Sequence, residues 1–266
     1  MNDYLHNTWK ILQESLKERG IKIPEKTLNG KTYSHILPVK GEACFDYLKL
    51  SDNKIDQSLL DNLHKQFNHI NSSQLLCYCV FSPFLDNNGH ISETLGNIFG
   101  ISIGKHAIGK FEYNDDVKWG NKPEDTQFDF YIHNSDDNKE YFFEIKFTES
   151  NFGKANVKDG DYHTEKAEFY RQQLVGVIEK NDGTEITDND IFNHYQMLRN
   201  ILRAKQSNHI VIFLTDKRNQ GTYNCINKFR NTFKLIPTNR VLFKEWQTIK
   251  ENWPNNIDMP FQFKCF

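Results

Sequence analysis

Asp129, Glu144 and Lys146 form the pattern in this sequence with the clearest chemical meaning. Asp129 stands between two phenylalanines, and Glu144 and Lys146 lie on either side of Ile145 in a second aromatic stretch. Successive side chains alternate across a strand, so Glu144 and Lys146 share one face while hydrophobic residues occupy the other. A lone acid and a lone base opposite such an apolar face indicate a functional role.

Metal-assisted hydrolysis is the chemistry that these residues could perform. Residues 135–139 predict a hairpin turn, which places Asp129 and Glu144 on neighbouring strands, roughly opposite each other. Their carboxylates could then share a divalent cation, and Mg²⁺ prefers one or two carboxylates together with water and substrate phosphate. A metal-bound water is a better nucleophile at neutral pH, and Lys146 would reach that water or the phosphate.

The competing interpretation is an edge hairpin that carries a surface Glu–Lys pair, because a Glu-x-Lys pattern on a strand is common. The position of Asp129 and the aromatic residues around both acids favour an active site instead. The apolar run at 209–214 also favours it, since such a run predicts a strand buried on both faces of a sheet.

The periodicity along the chain predicts a mixed α/β sheet with helices on its faces. Strands are predicted at 127–132, 141–147, 209–214 and 240–242. Helices are predicted at 3–19, 56–69, 91–99, 164–179, 189–206, 223–233 and 243–253, and a further helix is expected to begin at the N-cap signal 71–74 and to end near residue 80. Short strand-like pieces are also expected at 33–39 and 43–50.

The charge is distributed unevenly although the net charge is only −2. Residues 199–250 contain eleven Lys and Arg against two acids, whereas residues 112–149 contain eleven acids against four Lys. An enzyme that holds a metal with carboxylates and a polyanion with cations needs this combination. Solvated helix faces carry similar runs of charge, so the pattern leaves both interpretations open.

The Asp on one strand and the acid-x-Lys on the next resemble the PD-(D/E)xK nuclease superfamily, which has the restriction-endonuclease-like fold. Phe128 stands where the family name has Pro, a departure that many members share. The segments Asn71-Ser72-Ser73-Gln74 and 144–149 look like a poorly characterised bacterial branch of that superfamily. The resemblance covers about residues 70–215.

Two further site residues are implied by this resemblance alone. The family often adds an acid from a helix upstream of the strands. Glu93 is at the matching place, and the resemblance implies that it is a further metal ligand. The alternative is that Glu93 is an exposed acid in the first turn of a helix. Some members add a Gln or Tyr from a following helix, for which Gln196 is the candidate, with Gln172 and Gln173 as competitors.

The sequence therefore predicts an α/β restriction-endonuclease-like domain at 71–266, preceded by a mainly helical extension at 1–70. The expected function is Mg²⁺- or Mn²⁺-dependent hydrolysis of DNA. The alternatives are a catalytically inactive nucleic-acid-binding member of the fold and an RNA-directed phosphodiesterase. Many nucleases of this fold act as a homodimer, although no residue pattern identifies an interface.

The expected setting is cytoplasmic, with no membrane association. The first residues show neither a basic start nor an apolar run, and no apolar run approaches the length of a membrane span. The five cysteines are odd in number and sparse, so a disulfide framework is not expected.

Overall fold

The computed structural model describes residues 3–28, 30–50, 57–115, 118–119, 122–123, 126–153, 164–236 and 238–266. The α-helices are α1 (Asp3–Glu18), α2 (Ala43–Tyr47), α3 (Gln57–Asp61), α4 (Ser73–Phe81), α5 (Glu93–Phe99), α6 (Thr164–Leu174), α7 (Asp188–Asn193), α8 (Tyr195–Ile201), α9 (Gln220–Thr232) and α10 (Trp246–Glu251). Short 3₁₀ turns lie at Ser82–Phe84, Leu202–Lys205 and Phe261–Cys265.

The strands are β1 (Lys26–Leu28), β2 (Lys31–Tyr33), β3 (Ala107–Asp115), β4 (Lys118–Trp119), β5 (Lys122–Pro123), β6 (Thr126–Asn134), β7 (Lys139–Ile145), β8 (Ile178–Lys180), β9 (His209–Thr215), β10 (Phe233–Leu235) and β11 (Val241–Glu245). Five of them form the central sheet in the order β3-β6-β7-β9-β11. The first three are antiparallel neighbours, and β9 and β11 are parallel to β7. The sheet is therefore mixed, as predicted.

Hydrophobic side chains from the two faces of the sheet enter two separate core clusters. Phe143 and Ile212 pack on one face, in a cluster that also contains residues of α1, α4, α5 and α10. Phe142 and Phe213 pack on the other face, against α6, α7, α8 and α9. Strand β9 contributes to both clusters, which confirms that the 209–214 run is buried on both faces.

The hairpin that carries the predicted site forms as the sequence indicates, with its turn at residues 135–138. The side chain of Asp137 stabilises this turn by accepting hydrogen bonds from Asn134 Nδ2 and from the backbone N–H of Lys139. Asn138 adopts a φ of 55°, which Asn tolerates better than most residues.

Several expectations about local structure are wrong. The helix expected at 56–69 ends at Asp61. The helix expected at 189–206 is divided at His194 into α7 and α8. Of the strand-like piece expected at 33–39, only Tyr33 lies in a strand.

Three further elements also differ from the prediction. The helix expected at 243–253 begins only at Trp246, because residues 241–245 pair with β9 instead. The helix expected at 164–179 ends at Leu174, and β8 follows it. Residues 43–47 form α2 rather than a strand, with Cys44 and Phe45 buried in the core.

Helix α1 forms at Asp3–Glu18, close to the predicted 3–19. Its buried residues Leu12 and Leu16 belong to the same core cluster as Phe143 of the central sheet. A division of the chain at residue 70 stays a prediction, although this packing joins α1 to the sheet. None of the helices in the described ranges is long and apolar enough to cross a membrane.

Candidate active site

The sheet divides at Asp129. The β6–β7 pairing ends at Phe130 and Phe143, whereas β6 continues along β3 to Thr126 and β7 continues along β9 to Ile145. Asp129 Oδ2 accepts a hydrogen bond of 2.6 Å from the backbone N–H of Ile145. A side chain thus takes the place of a ladder hydrogen bond and holds the Asp129 carboxylate beside the strand that carries Glu144 and Lys146.

Glu144 is buried, with only 3% of its surface exposed, yet both of its carboxylate oxygens have hydrogen-bond donors. Its Oε1 lies 2.7 Å from Lys146 Nζ and accepts a 2.8 Å hydrogen bond from Gln196 Nε2. Its Oε2 accepts a 2.8 Å hydrogen bond from Asn200 Nδ2. Three donors offset the cost of burying a carboxylate and fix its orientation.

Lys146 is held in place through its backbone as well as its side chain. Its N–H donates to Leu214 on β9, and its carbonyl accepts from Trp246 Nε1. Burial alone would lower the pKa of Lys146, but the carboxylates of Glu144, Glu149 and Asp129 raise it above its ordinary value. These carboxylates therefore favour the protonated form of Lys146, which donates hydrogen bonds.

The pKa of Asp129 is raised as well, which for an acid disfavours the charged form. Burial first, and then the negative charges of Glu144 and Glu112, raise its pKa, while Lys146 and the Ile145 N–H lower it. A cation bound between these carboxylates would counter the repulsion that raises this pKa.

The structure brings Gln196 to the site and does not bring its competitors there. Gln172 donates to Glu168, and Gln173 accepts from Lys205. Gln196 also accepts a hydrogen bond from the Gly153 N–H, which positions its amide to donate to Glu144. Asn200 is a site residue that the sequence analysis missed. Its spacing of four from Gln196, which places both on one helix face, was the available signal.

The structure does not bring Glu93 to the site. Glu93 is an exposed residue in the first turn of α5, just after the N-cap Ser92, and it makes no hydrogen bond or ion pair with Asp129 or Glu144. An acid in a first helical turn is favoured by the helix dipole, which accounts for Glu93 there.

A buried acid that the sequence analysis did not single out, Glu112 on β3, lies opposite Asp129. The pairs Phe111–Phe130 and Tyr113–Phe128 flank these two residues. Phe111 and Phe130 pack in one core cluster while Phe128 packs in the other, so the alternation of side chains is interrupted at this point. Glu112 has a φ of 48°, a conformation uncommon for a residue other than Gly, Asn or Asp.

The donor set fits a hard divalent cation. The Asp129 and Glu144 carboxylates offer oxygen ligands, which suit Mg²⁺ or Mn²⁺ better than Zn²⁺. Cys77 donates through Sγ to the Asp129 carbonyl, and burial raises the pKa of this thiol. In the described part of the chain, no three His, Cys, Asp or Glu side chains are grouped so that they could ligate a metal directly. Two carboxylates and water ligands are what Mg²⁺ commonly uses.

A polar groove of about 660 Å³ opens beside the site, between Phe152 and helices α7, α8 and α9. Phe152 also lies under Lys146, with Nζ 5.7 Å from the ring centre. Amide side chains and one cation line the groove, among them Asn151, Asn193, Asn224 and Lys228.

The mixed five-stranded sheet with helices on both faces, with two acids and a lysine where it divides, defines an α/β protein of the restriction-endonuclease-like class. A family model described as "Restriction Endonuclease associating with ARP" matches residues 12–263. The match spans most of the chain, so the protein belongs to this family, and its resemblance to PD-(D/E)xK nucleases is confirmed. Neither the curated proteins nor the solved structures gave a significant match.

Proposed function

We propose that this member of a restriction endonuclease family hydrolyses phosphodiester bonds in DNA with Mg²⁺ or Mn²⁺. The observation that carries the proposal is the contact of Lys146 Nζ with Glu144 Oε1 at 2.7 Å, beside the Asp129 carboxylate. Two carboxylates that can hold a cation, beside a lysine that can contact water or phosphate, can support metal-assisted phosphodiester hydrolysis.

Asp129 and Glu144 are the residues that would hold the cation. When bound, it would lower the pKa of a water molecule and offset the negative charge that develops on the phosphate. Lys146, which remains protonated, donates hydrogen bonds from Nζ to the attacking water or to a phosphate oxygen. Its role is to position the water and to stabilise the negative charge that develops on the phosphate.

Gln196 and Asn200 position Glu144 rather than contact the substrate. Their amide groups donate to different oxygens of the carboxylate, so each oxygen keeps a fixed direction. Groups that orient a metal ligand in this way contribute to metal affinity and to activity.

The DNA backbone would contact exposed cations near the end of β7 and β9, where the catalytic residues lie. Lys217 is exposed in the loop that follows β9, and β9 is parallel to β7. Asn219, the N-cap of α9, donates to the carbonyls of Phe147 and Glu149, which places this loop beside the end of β7. Lys228 lines the polar groove. Arg218, by contrast, is paired with the buried Asp216.

The family description also supports a protein partner. It names association with ARP, and we propose that this chain works together with such a protein. Pairing of two copies stays a prediction.

Plasmid nicking tests the proposed function. We expect relaxation of supercoiled DNA in Mg²⁺ or Mn²⁺, none in EDTA, and DNA binding with little cleavage in Ca²⁺. A short RNA incubated in parallel separates an RNA-directed enzyme from a DNA-directed one. Full activity in EDTA contradicts the metal dependence, and DNA binding without cleavage in any of these metals identifies an inactive member of the fold.

A further inference from the structure

Glu112 is a buried acid whose contacts leave it incompletely satisfied. Only 3% of its surface is exposed, and its Oε1 is buried without a hydrogen-bond partner. Its Oε2 lies 3.7 Å from His64 Nε2, whose side chain is half exposed, and the Gln74 amide hydrogen-bonds to the carboxylate. Buried carboxylate oxygens without a donor are rare in folded proteins, and each one calls for an explanation such as a bound ion or water.

The position of Glu112 places this oxygen next to the candidate cation site. Glu112 lies opposite Asp129 across the β3–β6 pair, between two flanking pairs of the ladder. The charge of Glu112 raises the pKa of Asp129, and the charge of Glu144 raises the pKa of Glu112. Burial raises the pKa of Glu112 to about 7, against the lowering effect of the Gln74 amide.

The backbone at Glu112 is also unusual. A φ of 48° is strained for a glutamate, and residues held in such conformations concentrate at functional sites. At Glu112 and Asp129 the regular alternation of side chains between the two faces of β3 and β6 is interrupted. Irregularities of this kind re-aim side chains beside active sites.

We infer that Glu112 is a third carboxylate of the divalent-cation site and acts on the cation through its water ligands. This inference rests on the proposed function. Contact through water agrees with the absence of a group of three direct ligands among the described residues. It also gives the partnerless Oε1 an acceptor role, since a water bound to a dication is a strong hydrogen-bond donor.

Cation affinity measured without DNA tests the inference. Calorimetric titrations with MnCl₂ and with CaCl₂ would compare the wild type with Glu112→Gln, Glu93→Gln and Asp129→Asn. We expect Glu112→Gln to weaken binding about 10-fold or more, as loss of a residue beyond the direct ligands commonly does. Glu93→Gln should bind like the wild type, and Asp129→Asn should bind far more weakly.

The outcomes separate the inference from the proposed function. Wild-type affinity in Glu112→Gln, with affinity lost in Asp129→Asn, overturns the role of Glu112 and leaves the proposed function standing. Cation binding that weakens in Glu93→Gln but not in Glu112→Gln also overturns the role of Glu112. A wild type that binds neither cation, or an Asp129→Asn variant that binds like the wild type, contradicts both.

A further pair of variants guards against a folding defect. Thermal melting of Glu112→Gln in EDTA shows whether the variant folds, and Glu112→Asn provides a second amide that tolerates a positive φ. Glu140→Gln, on β7 and paired with His209, is the matched control for removal of an acid from the sheet. If Glu112→Asn binds the cations as tightly as the control Glu140→Gln does, the inference is overturned even if Glu112→Gln does not fold.

Discussion

The Asp129 carboxylate accepts a 2.6 Å hydrogen bond from the backbone of Ile145, the residue between Glu144 and Lys146. This bond joins the first acid to the strand that carries the other two groups, at the point where the ladder between the strands has ended. An asparagine at position 129 keeps a carbonyl oxygen for this bond and loses only the charge. Asp129→Asn therefore separates the chemistry of the site from its architecture.

Asn200→Ala is expected to lower both stability and cleavage. Asn200 is fully buried and donates to Glu144 Oε2, which would then be buried without a donor. Such a loss costs about 1–3 kcal/mol in the free energy of unfolding. Urea denaturation measures it, with Asn193→Ala as the control, because Asn193 bonds only to Asn189 on the surface of α7. Equal unfolding midpoints for the two variants would show that Asn200 does not support Glu144.

Tyr4→Phe is expected to destabilise the end of the sheet that carries the site. Tyr4 Oη lies 2.9 Å from Asp216 Oδ2 and 3.1 Å from the carbonyl of Phe147, the residue after Lys146. Removing the hydroxyl should lower the free energy of unfolding by about 1 kcal/mol. Deletion of residues 1–20 should cost much more, because Leu12 and Leu16 lie in the main core. A truncated chain that melts like the full chain would support a separate N-terminal extension.

His35 is expected to make the protein less stable in mild acid. It is buried, and its ring stacks on Trp9 at 4.0 Å. Burial, and then the charge of His69, lower the pKa of His35 to about 4. The unfolded chain, with an ordinary His pKa near 6.5, then binds more protons, so the free energy of unfolding falls as the pH drops from about 6.5 towards 4.

Denaturant titrations between pH 4 and 7.5 measure the contribution of His35. His35→Phe keeps an aromatic ring for Trp9 and removes the titrating group, so its stability should depend less on pH in this window. His6→Gln, which changes an exposed histidine, should behave like the wild type. An unchanged pH dependence in His35→Phe would assign the acid sensitivity to other groups.

Replacing Lys217 and Lys228 with alanine is expected to weaken DNA binding for every sequence alike. The slope of log affinity against log salt should flatten by about 0.9 for each lost phosphate contact. Lys105→Ala is the control, because Lys105 is exposed beside the hairpin turn, at the other end of β6 and β7. A salt slope that does not change in the double variant would show that these two cations face only solvent.

The hairpin and the buried strand could be predicted because their signals are local. The apolar runs, the turn residues and the Asp129 and Glu144-x-Lys146 pattern all lie within short windows of sequence. Gln196 could be proposed only by resemblance, since 52 residues separate it from the Glu144 oxygen that it contacts.

Glu112 could not be found in this way, and Asn200 only through its spacing of four from Gln196, because the roles of both residues depend on tertiary contacts. Nothing in the sequence near Glu112 signals a left-handed backbone or a position opposite Asp129. Residues 243–245 were expected to begin a helix, but they extend the strand expected at 240–242 because β9 offers them a parallel partner strand. Such pairing between distant segments overrides local propensity.

The most direct test is the single-turnover nicking rate of a supercoiled plasmid in Mg²⁺ with Asp129→Asn and Lys146→Ala, at DNA concentrations that saturate each variant. We predict a fall of about 10²-fold or more for both, the scale of one lost electrostatic or acid–base group. DNA affinity should be retained, and the melting temperature of Asp129→Asn in EDTA should hold or rise because its repulsion with Glu144 is relieved. Variants that melt earlier but nick DNA at the wild-type rate would contradict the active site.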